Sequence, residues 1–183
     1  KLLSFKDNVL EEIADLSELA GFHCNDMVVD VNGNAYIGNF GFNTYAGEEV
    51  KSTNLILVRP GEEPCVAADD LMFPNGTVIT EDGKTLIVGE TYAARLTAFD
   101  INDDASLTNR RIWADLTKSV DDGNVPVPDG MCIDAEGAIW VASPSTADVI
   151  RVKEGGEILE RIPVESNAYA CMLGGEDQKT LFI

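Results

Sequence analysis

The sequence has little histidine and no closely spaced pair of cysteines. Its one histidine is His23, and the four cysteines, Cys24, Cys65, Cys132 and Cys171, lie 41, 67 and 39 residues apart. A zinc-finger type of site needs clustered Cys and His ligands, so we do not expect one here. Three of the cysteines lie inside apolar runs, where a free cysteine acts as a small buried hydrophobic residue, and a reducing compartment fits this use best.

Positive charge is scarce, and long hydrophobic runs are missing. The sequence has 13 Lys and Arg against 32 Asp and Glu, which gives a formal net charge of -19. Such a charge repels nucleic acids and anionic membranes, so we expect neither as a partner, and it favours cations. No segment reaches the roughly 18 apolar residues of a membrane span, and no signal peptide is recognisable. We expect a cytoplasmic protein, with a removed leader left open because the chain begins at Lys1 rather than at a methionine.

What the sequence does contain is a repeated phrase. NDMVVDVNGNAYIGN from Asn25, NGTVITEDGKTLIVGE from Asn75 and DGMCIDAEGAIWVAS from Asp129 each begin with Asn or Asp and have a glycine eight residues later. The first positions are 50 and 54 residues apart, and a weaker copy begins at Ala170. Self-similarity at such a period indicates a repeat architecture.

Each copy of the phrase predicts a β-hairpin. Its two apolar runs are joined by a predicted two-residue turn, Asn32-Gly33, Asp82-Gly83 or Glu136-Gly137. Two further strand-like runs follow the second and third copies, namely RLTAFDI at 95–101 and RRIWADL at 110–116, then VIRVK at 149–153 and ILERIPV at 158–164. Four antiparallel strands in about 40–50 residues are typical of a β-propeller blade. The innermost strands should be buried on both faces, since they carry the apolar runs.

We therefore predict an all-β chain that forms one partial β-propeller domain over residues 1–183. The predicted blades cover approximately residues 25–73, 74–127 and 128–167, with partial blades at 1–24 and 168–183. VLEEIADLSEL at 9–19 has helical spacing and helical propensity, but its position before the first copy favours a strand, and we predict a strand there. Three and a half blades leave strand edges open, so the chain should belong to a longer one or self-associate through those edges.

The repeat brings three polar side chains to one end of the predicted channel. Asn25, Asn75 and Asp129 each open an innermost strand, and convergent oxygen atoms suit a hard cation such as Ca²⁺, Mg²⁺ or Mn²⁺. Asp26 would supply a further carboxylate, but alternation along a strand directs it to the other face. The alternative is structural, because Asn-Gly and Asp-Gly are common turn formers. Recurrence in phase favours ligands, since the hairpin turn lies eight residues further on.

The phrases together resemble the regucalcin (senescence marker protein) and gluconolactonase family, in particular its bacterial lactonase-like members. The resemblance runs from about Phe22 to the last residue. It is carried by the ordered set CNDMVVD, FPNGTVITEDGKTLIVGET, LTAFDI, LTNRRIWADL, PDGMCIDAEGAIWVAS and CMLGGEDQKTLFI. The resemblance implies a six-bladed propeller with one divalent metal at the top of its channel, acting on sugar-acid lactones or related esters.

The resemblance also implies roles for particular residues. Asn75 and Asp129 match the family's metal ligands for one divalent cation, with Ca²⁺ expected first and Zn²⁺, Mn²⁺ or Mg²⁺ as alternatives. Asp129 is also the candidate catalytic base. Asn25 matches a substrate-side asparagine, and His23 stands where the family usually has a substrate-contacting arginine. The remaining family ligand, a glutamate on the first innermost strand, would precede Lys1.

Two other functional hypotheses stay open beside the hydrolase. One is a non-catalytic propeller that binds a ligand or a protein on the same face, since this fold hosts many functions. The other is an inactive fragment that lacks the first-blade glutamate. Glu90, at the end of a hairpin strand, could approach the channel, but strand ends commonly carry solvated carboxylates. Trp113 and Trp140 are expected to pack between blades rather than to bind substrate.

Overall fold

The computed structural model describes residues 1–118 and 123–183. Within these ranges the helical residues form three single turns of 3-10 helix at Thr44–Ala46, Thr91–Ala93 and Leu116–Lys118. None of these described turns has the length or the hydrophobicity that crossing a membrane requires. The described strands are β1 (Leu2–Lys6), β2 (Val9–Ala14), β3 (Cys24–Val29), β4 (Ala35–Asn39), β5 (Thr53–Val58), β6 (Cys65–Leu71), β7 (Pro74–Ile79), β8 (Thr85–Glu90), β9 (Arg95–Ile101), β10 (Leu107–Asp115), β11 (Met131–Ile133), β12 (Ile139–Ser143), β13 (Asp148–Val152), β14 (Ile158–Pro163), β15 (Met172–Gly174) and β16 (Thr180–Phe182).

Strands that follow one another in the chain also pair with one another. Three four-stranded sheets contain β3–β6, β7–β10 and β11–β14, each in sequential order, and β1–β2 and β15–β16 form two-stranded hairpins. Neighbouring strands run antiparallel in all five of these sheets. Four short sequential strands are the composition of a propeller blade, and the all-β prediction is confirmed. The chain divides into two compact units, Lys1–Pro74 and Asn75–Ile183.

The first unit combines the β1–β2 hairpin with the β3–β6 sheet. Its apolar core joins Leu16, which follows β2, to side chains from the two middle strands of the sheet. Residues 9–14 form a strand, which confirms the choice of strand over helix, although the strand ends at Ala14. Pairing with β1 from Leu3↔Glu12 to Lys6↔Val9 satisfies the backbone of this segment, so tertiary context overrides its helical propensity.

Two apolar layers hold the second unit together. One contains side chains from both the β7–β10 and the β11–β14 sheets, and the other joins the β11–β14 sheet to residues of the β15–β16 hairpin. Trp113 lies in the first layer and Trp140 in the second, so both tryptophans pack between sheets as predicted. Cys132 and Cys171 are free thiols buried in the second layer, which agrees with their use as small hydrophobic residues.

The hairpin turns differ from the predicted two-residue form. In the first copy the N–H of Gly33 donates to the carbonyl oxygen of Asp30, and the Asp30 N–H donates to the carbonyl oxygen of Asn34. The positive φ of 86° falls on Gly33, at the end of the turn. The cause is the Asp30 carboxylate, whose Oδ1 accepts from the N–H groups of Asn32 and Asn34 at 2.8 and 2.9 Å. This geometry is a longer loop with a glycine bulge, and the two-residue prediction is wrong.

Burial follows the predicted gradient in the second unit and departs from it in the first. Side chains along β7, β8 and β12 are almost all buried, whereas the outer strands β10 and β14 are largely exposed. In β3, however, Met27 is 41% and Val29 is 52% exposed. The prediction of burial on both faces is therefore wrong for β3. β7 holds the same edge position in its sheet, but its Val78 packs in the apolar layer shared with the β11–β14 sheet.

The layer between the two sheets of the second unit predicts a large stability difference between two isoleucines. Ile150 on β13 is 0% exposed inside this layer, and Ile112 on β10 is 59% exposed. We expect Ile150→Ala to lower the free energy of unfolding by about 2–5 kcal/mol, because it removes buried methyl groups and leaves a cavity. Ile112→Ala is the matched control and should change it by about 0.5 kcal/mol or less. Urea denaturation measures both, and equal losses would contradict the described packing.

Candidate functional site

Asn75 is the second residue of β7, and its carboxamide is buried. The residue is 4% exposed, and Nδ2 donates to Oγ1 of Thr91 at 3.2 Å. Its Oδ1 is also buried, but no hydrogen-bond partner for it exists among the described residues. Leaving a buried acceptor unpaired costs about 1–3 kcal/mol, so such an atom calls for an explanation such as an ion or a water molecule. An amide oxygen is a suitable ligand for a hard divalent cation.

Asp129 lies beside Asn75 because two innermost strands approach each other closely. A Cβ atom on Gly76 would lie 2.2 Å from the carbonyl oxygen of Asp129 and 2.8 Å from the N atom of Met131. Only glycine tolerates this approach, which explains the glycine after Asn75 in the repeated phrase. Asp129 is half-buried, and its N–H donates to the carbonyl oxygen of Ala142 at 3.0 Å. The second unit thus places the backbone of Asp129 against the residue that follows Asn75, and the role of the two residues as metal ligands stays a prediction.

The same close approach recurs one step further along the second unit. A Cβ atom on Gly130 would lie 2.9 Å from Cα of Ala170, and the Gly130 N–H donates to the carbonyl oxygen of Tyr169 at 2.9 Å. The Asp-Gly pair is therefore a contact between neighbouring innermost segments rather than a hairpin turn. This finding removes the turn-forming alternative for Asp129.

Asn25 and His23 belong to the first unit. Asn25 is half-buried, and its Nδ2 is a buried donor without a partner among the described residues. His23 is exposed, with its ring stacked on Phe22 at a centroid distance of 4.1 Å and an interplanar angle of 10°. Tyr45 borders the same ring at 6.0 Å. The predicted convergence of Asn25 and His23 with Asn75 and Asp129 stays a prediction.

Asp26 occupies an irregular part of β3. The register shifts between Cys24↔Asn39 and Met27↔Ile37, so one extra residue lies on the β3 side. Side chains do not alternate strictly between the two faces of a strand across such a bulge. Alternation therefore does not establish that Asp26 faces away from Asn25. Asp26 is exposed as a residue, but the protein beside its carboxyl group removes part of the surrounding water and raises its pKa above the ordinary value of 3.8.

Glu90 is a structural residue rather than a solvated strand end. It is 0% exposed at the end of β8, and its carboxylate accepts two hydrogen bonds from Arg95 at 2.8 and 2.9 Å and one from Thr97. Arg110 lies 3.6 Å from the same carboxylate. The expectation of a solvated carboxylate is therefore wrong, because its partners come from β9 and β10 and are not visible in local sequence.

Thr91, which the repeated phrase does not mark, connects Asn75 to the residue before Asp129. Its hydroxyl accepts from Asn75 and donates to the carbonyl oxygen of Pro128 at 2.7 Å, directly before Asp129. No signal in the sequence marks it, since the corresponding positions after β4 and β12 are Phe40 and Pro144. Across residues 1–118 and 123–183, His, Cys, Asp and Glu alone form no cluster of three that could hold a metal.

The chain is similar in sequence and in fold to proteins of known structure. Among solved structures, a gluconolactonase from Xanthomonas campestris aligns with a TM-score of 0.77 and 27% identity over 99% of this chain and 61% of its own. A calcium-binding regucalcin from Agrobacterium tumefaciens aligns with a TM-score of 0.76 and 25% identity over 94% of this chain and 56% of its own. These likenesses confirm the β-propeller class, of which the chain covers a part.

The profile of the SMP-30/gluconolactonase/LRE-like region matches residues 2–183, and the chain belongs to this family. Regucalcin of Danio rerio is 28% identical over 93% of this chain and 57% of its own length. Regucalcin of Oryctolagus cuniculus is 30% identical over 87% of this chain and 53% of its own length. The chain thus spans about half the length of the curated relatives that it matches.

The buried Glu90 network predicts a stability loss that an exposed glutamate does not share. Glu90→Gln removes the charge that pairs with Arg95 and Arg110, and we expect the free energy of unfolding to fall by about 1.5–3 kcal/mol. Glu81→Gln, in the exposed turn between β7 and β8, should change it by about 0.5 kcal/mol or less. Urea denaturation of both variants measures the difference, and a Glu90→Gln value equal to the control would overturn the assignment.

Asp26 predicts a pH-dependent stability change. Its folded-state pKa is raised above the ordinary 3.8, so the folded state binds more protons than the unfolded state as pH rises past that value. Folding stability is then lost with increasing pH through this window. We expect Asp26→Asn to be more stable than wild type at pH 7, with the advantage shrinking towards pH 4.

The control for this prediction is Asp103→Asn, which makes the same charge change at an exposed turn. Thermal denaturation of the three proteins between pH 4 and pH 7 gives the comparison. If Asp26→Asn and Asp103→Asn gain the same stability over wild type at every pH, the change in net charge alone is responsible.

Proposed function

We propose that this chain forms part of a divalent-metal-dependent hydrolase that opens sugar-acid lactones or related esters, with Ca²⁺ as the preferred cation. The observation that carries the proposal is the buried, unpartnered Oδ1 of Asn75 on a strand that touches the backbone of Asp129. Membership of a gluconolactonase-like family supports the reaction class. Calcium binding by the Agrobacterium relative supports the choice of cation.

Asn75 and Asp129 would hold the cation through an amide oxygen and a carboxylate. Ca²⁺ takes about six to eight oxygen ligands, so the proposed set is completed by water, substrate and other protein groups. The net charge of -19 raises the local concentration of cations around the protein. A cation bound there supplies Lewis-acid stabilisation of the negative charge that develops on the lactone carbonyl oxygen.

Asp129 has a second proposed role as general base. Its carboxylate takes a proton from the water molecule whose oxygen bonds to the lactone carbonyl carbon. The ring C–O bond then breaks, and the proton passes to the leaving oxygen to give the open hydroxy acid. Asn25 is proposed to position the substrate by hydrogen bonding, and His23 to contact it on the same side.

Replacement of Asp129 tests this function. We expect purified protein to hydrolyse members of an aldonolactone panel when Ca²⁺, Mn²⁺, Mg²⁺ or Zn²⁺ is added, and to lose this activity with a chelator. Asp129→Asn should lower kcat/KM by about 100-fold or more, because it removes both the base and a charged ligand. Asp103→Asn is the matched control and should retain wild-type activity.

Three outcomes separate the hypotheses. Loss of turnover in Asp129→Asn, with activity retained in Asp103→Asn, supports the hydrolase. Cation binding by wild type without turnover of any lactone or ester supports a ligand-binding propeller or an inactive fragment instead. Turnover that is unchanged in Asp129→Asn removes Asp129 from the reaction.

A further inference from the structure

We propose that Thr91 is a positioning residue that holds the Asn75 carboxamide with its oxygen turned to the cation and its nitrogen turned away. The proposal rests on the proposed function, because it assigns an orientation to one of that site's ligands. It is supported by two consecutive hydrogen bonds, one from Asn75 Nδ2 to Thr91 Oγ1 and one from Thr91 Oγ1 to the Pro128 carbonyl oxygen.

The direction of these hydrogen bonds is fixed by the number of protons. A threonine hydroxyl has one proton, and the Pro128 carbonyl oxygen can only accept, so Thr91 Oγ1 donates to it at 2.7 Å. Towards Asn75 the hydroxyl must then act as an acceptor. The group that Asn75 presents at 3.2 Å is therefore Nδ2, which leaves Oδ1 without a partner among the described residues. An oxygen of this kind binds a cation, whereas an NH₂ group in its place would repel one.

The backbone around Thr91 explains why its hydroxyl reaches both groups. A Cβ atom on Gly89 would lie 2.9 Å from Cβ of Pro128, so β8 passes directly beside Pro128. Thr91 then begins a single 3-10 turn, in which the Ala94 N–H donates to the Thr91 carbonyl oxygen at 3.3 Å. Immediately before it, Glu90 is held by Arg95 and Thr97. Thr91 thus lies between two fixed segments and has little freedom to move.

The same hydroxyl connects the two proposed ligands. Pro128 immediately precedes Asp129, so the bond from Thr91 fixes the backbone that carries the carboxylate while it orients the amide. Loss of the hydroxyl leaves the amide free to rotate by half a turn and removes a donor from Pro128. Groups that orient a metal ligand in this way typically account for about 10–100-fold in metal affinity.

Three variants test the role of the hydroxyl. Thr91→Val removes the hydroxyl at nearly constant volume, and Thr91→Ser keeps it. Thr108→Val is the matched control, because Thr108 is exposed on β10 and away from Asn75. Mn²⁺ affinity is measured for each variant by electron paramagnetic resonance of the free ion. Circular dichroism verifies folding, and Thr91→Ala replaces Thr91→Val if that variant is unfolded.

We expect Thr91→Val to weaken Mn²⁺ binding by about 10–100-fold and Thr91→Ser to restore it to within about threefold of wild type. Thr108→Val should bind as wild type does. Neutron crystal structures of wild type and Thr91→Val distinguish the amide nitrogen from the oxygen and give a readout without metal, in which the Asn75 amide should rotate only in the variant.

Other results overturn the proposal or the function separately. Thr91→Val affinity within about threefold of wild type, or an Asn75 amide that keeps its orientation, overturns the positioning role alone. Wild-type affinity for Mn²⁺ that does not change in Asn75→Leu overturns the positioning role together with the proposed metal site. Binding that depends on Thr91 without hydrolysis of any lactone overturns the hydrolase and leaves the positioning role intact.

Discussion

The contact between the starts of β7 and β11 is the constraint on which the candidate site depends. At Gly76 the two backbones come so close that any side chain would overlap the Asp129 carbonyl oxygen. This contact places the backbones next to Asn75 and Asp129 against each other, and the Asn75 amide oxygen is buried without a partner among the described residues. Packing of neighbouring sheets must offset that cost of about 1–3 kcal/mol until a ligand does so. A polar group kept at such a cost is more readily explained by function than by stability.

A second repeated feature stabilises the end of the second strand in each four-stranded sheet. The last residue of the second strand is polar and fully buried in each four-stranded sheet, as Asn39, Glu90 and Ser143 show. Asn39 bonds to the backbone of Gly21, Gly41 and Asn54, and Glu90 bonds to Arg95 and Thr97. A buried polar residue therefore recurs at this position of the repeat, while the groups that hydrogen-bond to it differ. Sheets with the same strand order can thus carry different polar side chains at the end of the second strand.

The sequence predicted strands well and side-chain partnerships poorly, for a physical reason. Segment 95–101 is a strand with the predicted bounds, because its buried and alternating pattern is a local property. The partners of Glu90 and Thr91 lie on other strands or 37 residues away, at Pro128, and spacing along the chain does not reveal them. The turn at Asp30–Gly33 was predicted with the wrong length because an aspartate side chain, rather than the Asn-Gly pair, determines it. For the candidate site, the repeat identified Asn75 and Asp129 but not the residue that orients them.

The donor atoms of the proposed site narrow the choice of cation. One amide oxygen and one carboxylate are hard ligands, which favour Ca²⁺, Mg²⁺ or Mn²⁺ over a metal that prefers sulfur or imidazole. Mg²⁺ demands a nearly ideal octahedron, whereas Ca²⁺ accepts irregular sets of oxygen ligands. The Asn75 amide is tied to Thr91, so this proposed ligand has little freedom to adapt to a strict geometry. A cation that accepts an irregular set of oxygen ligands fits a fixed amide better than one that demands a strict octahedron, and Ca²⁺ is therefore the preferred cation of the proposed site.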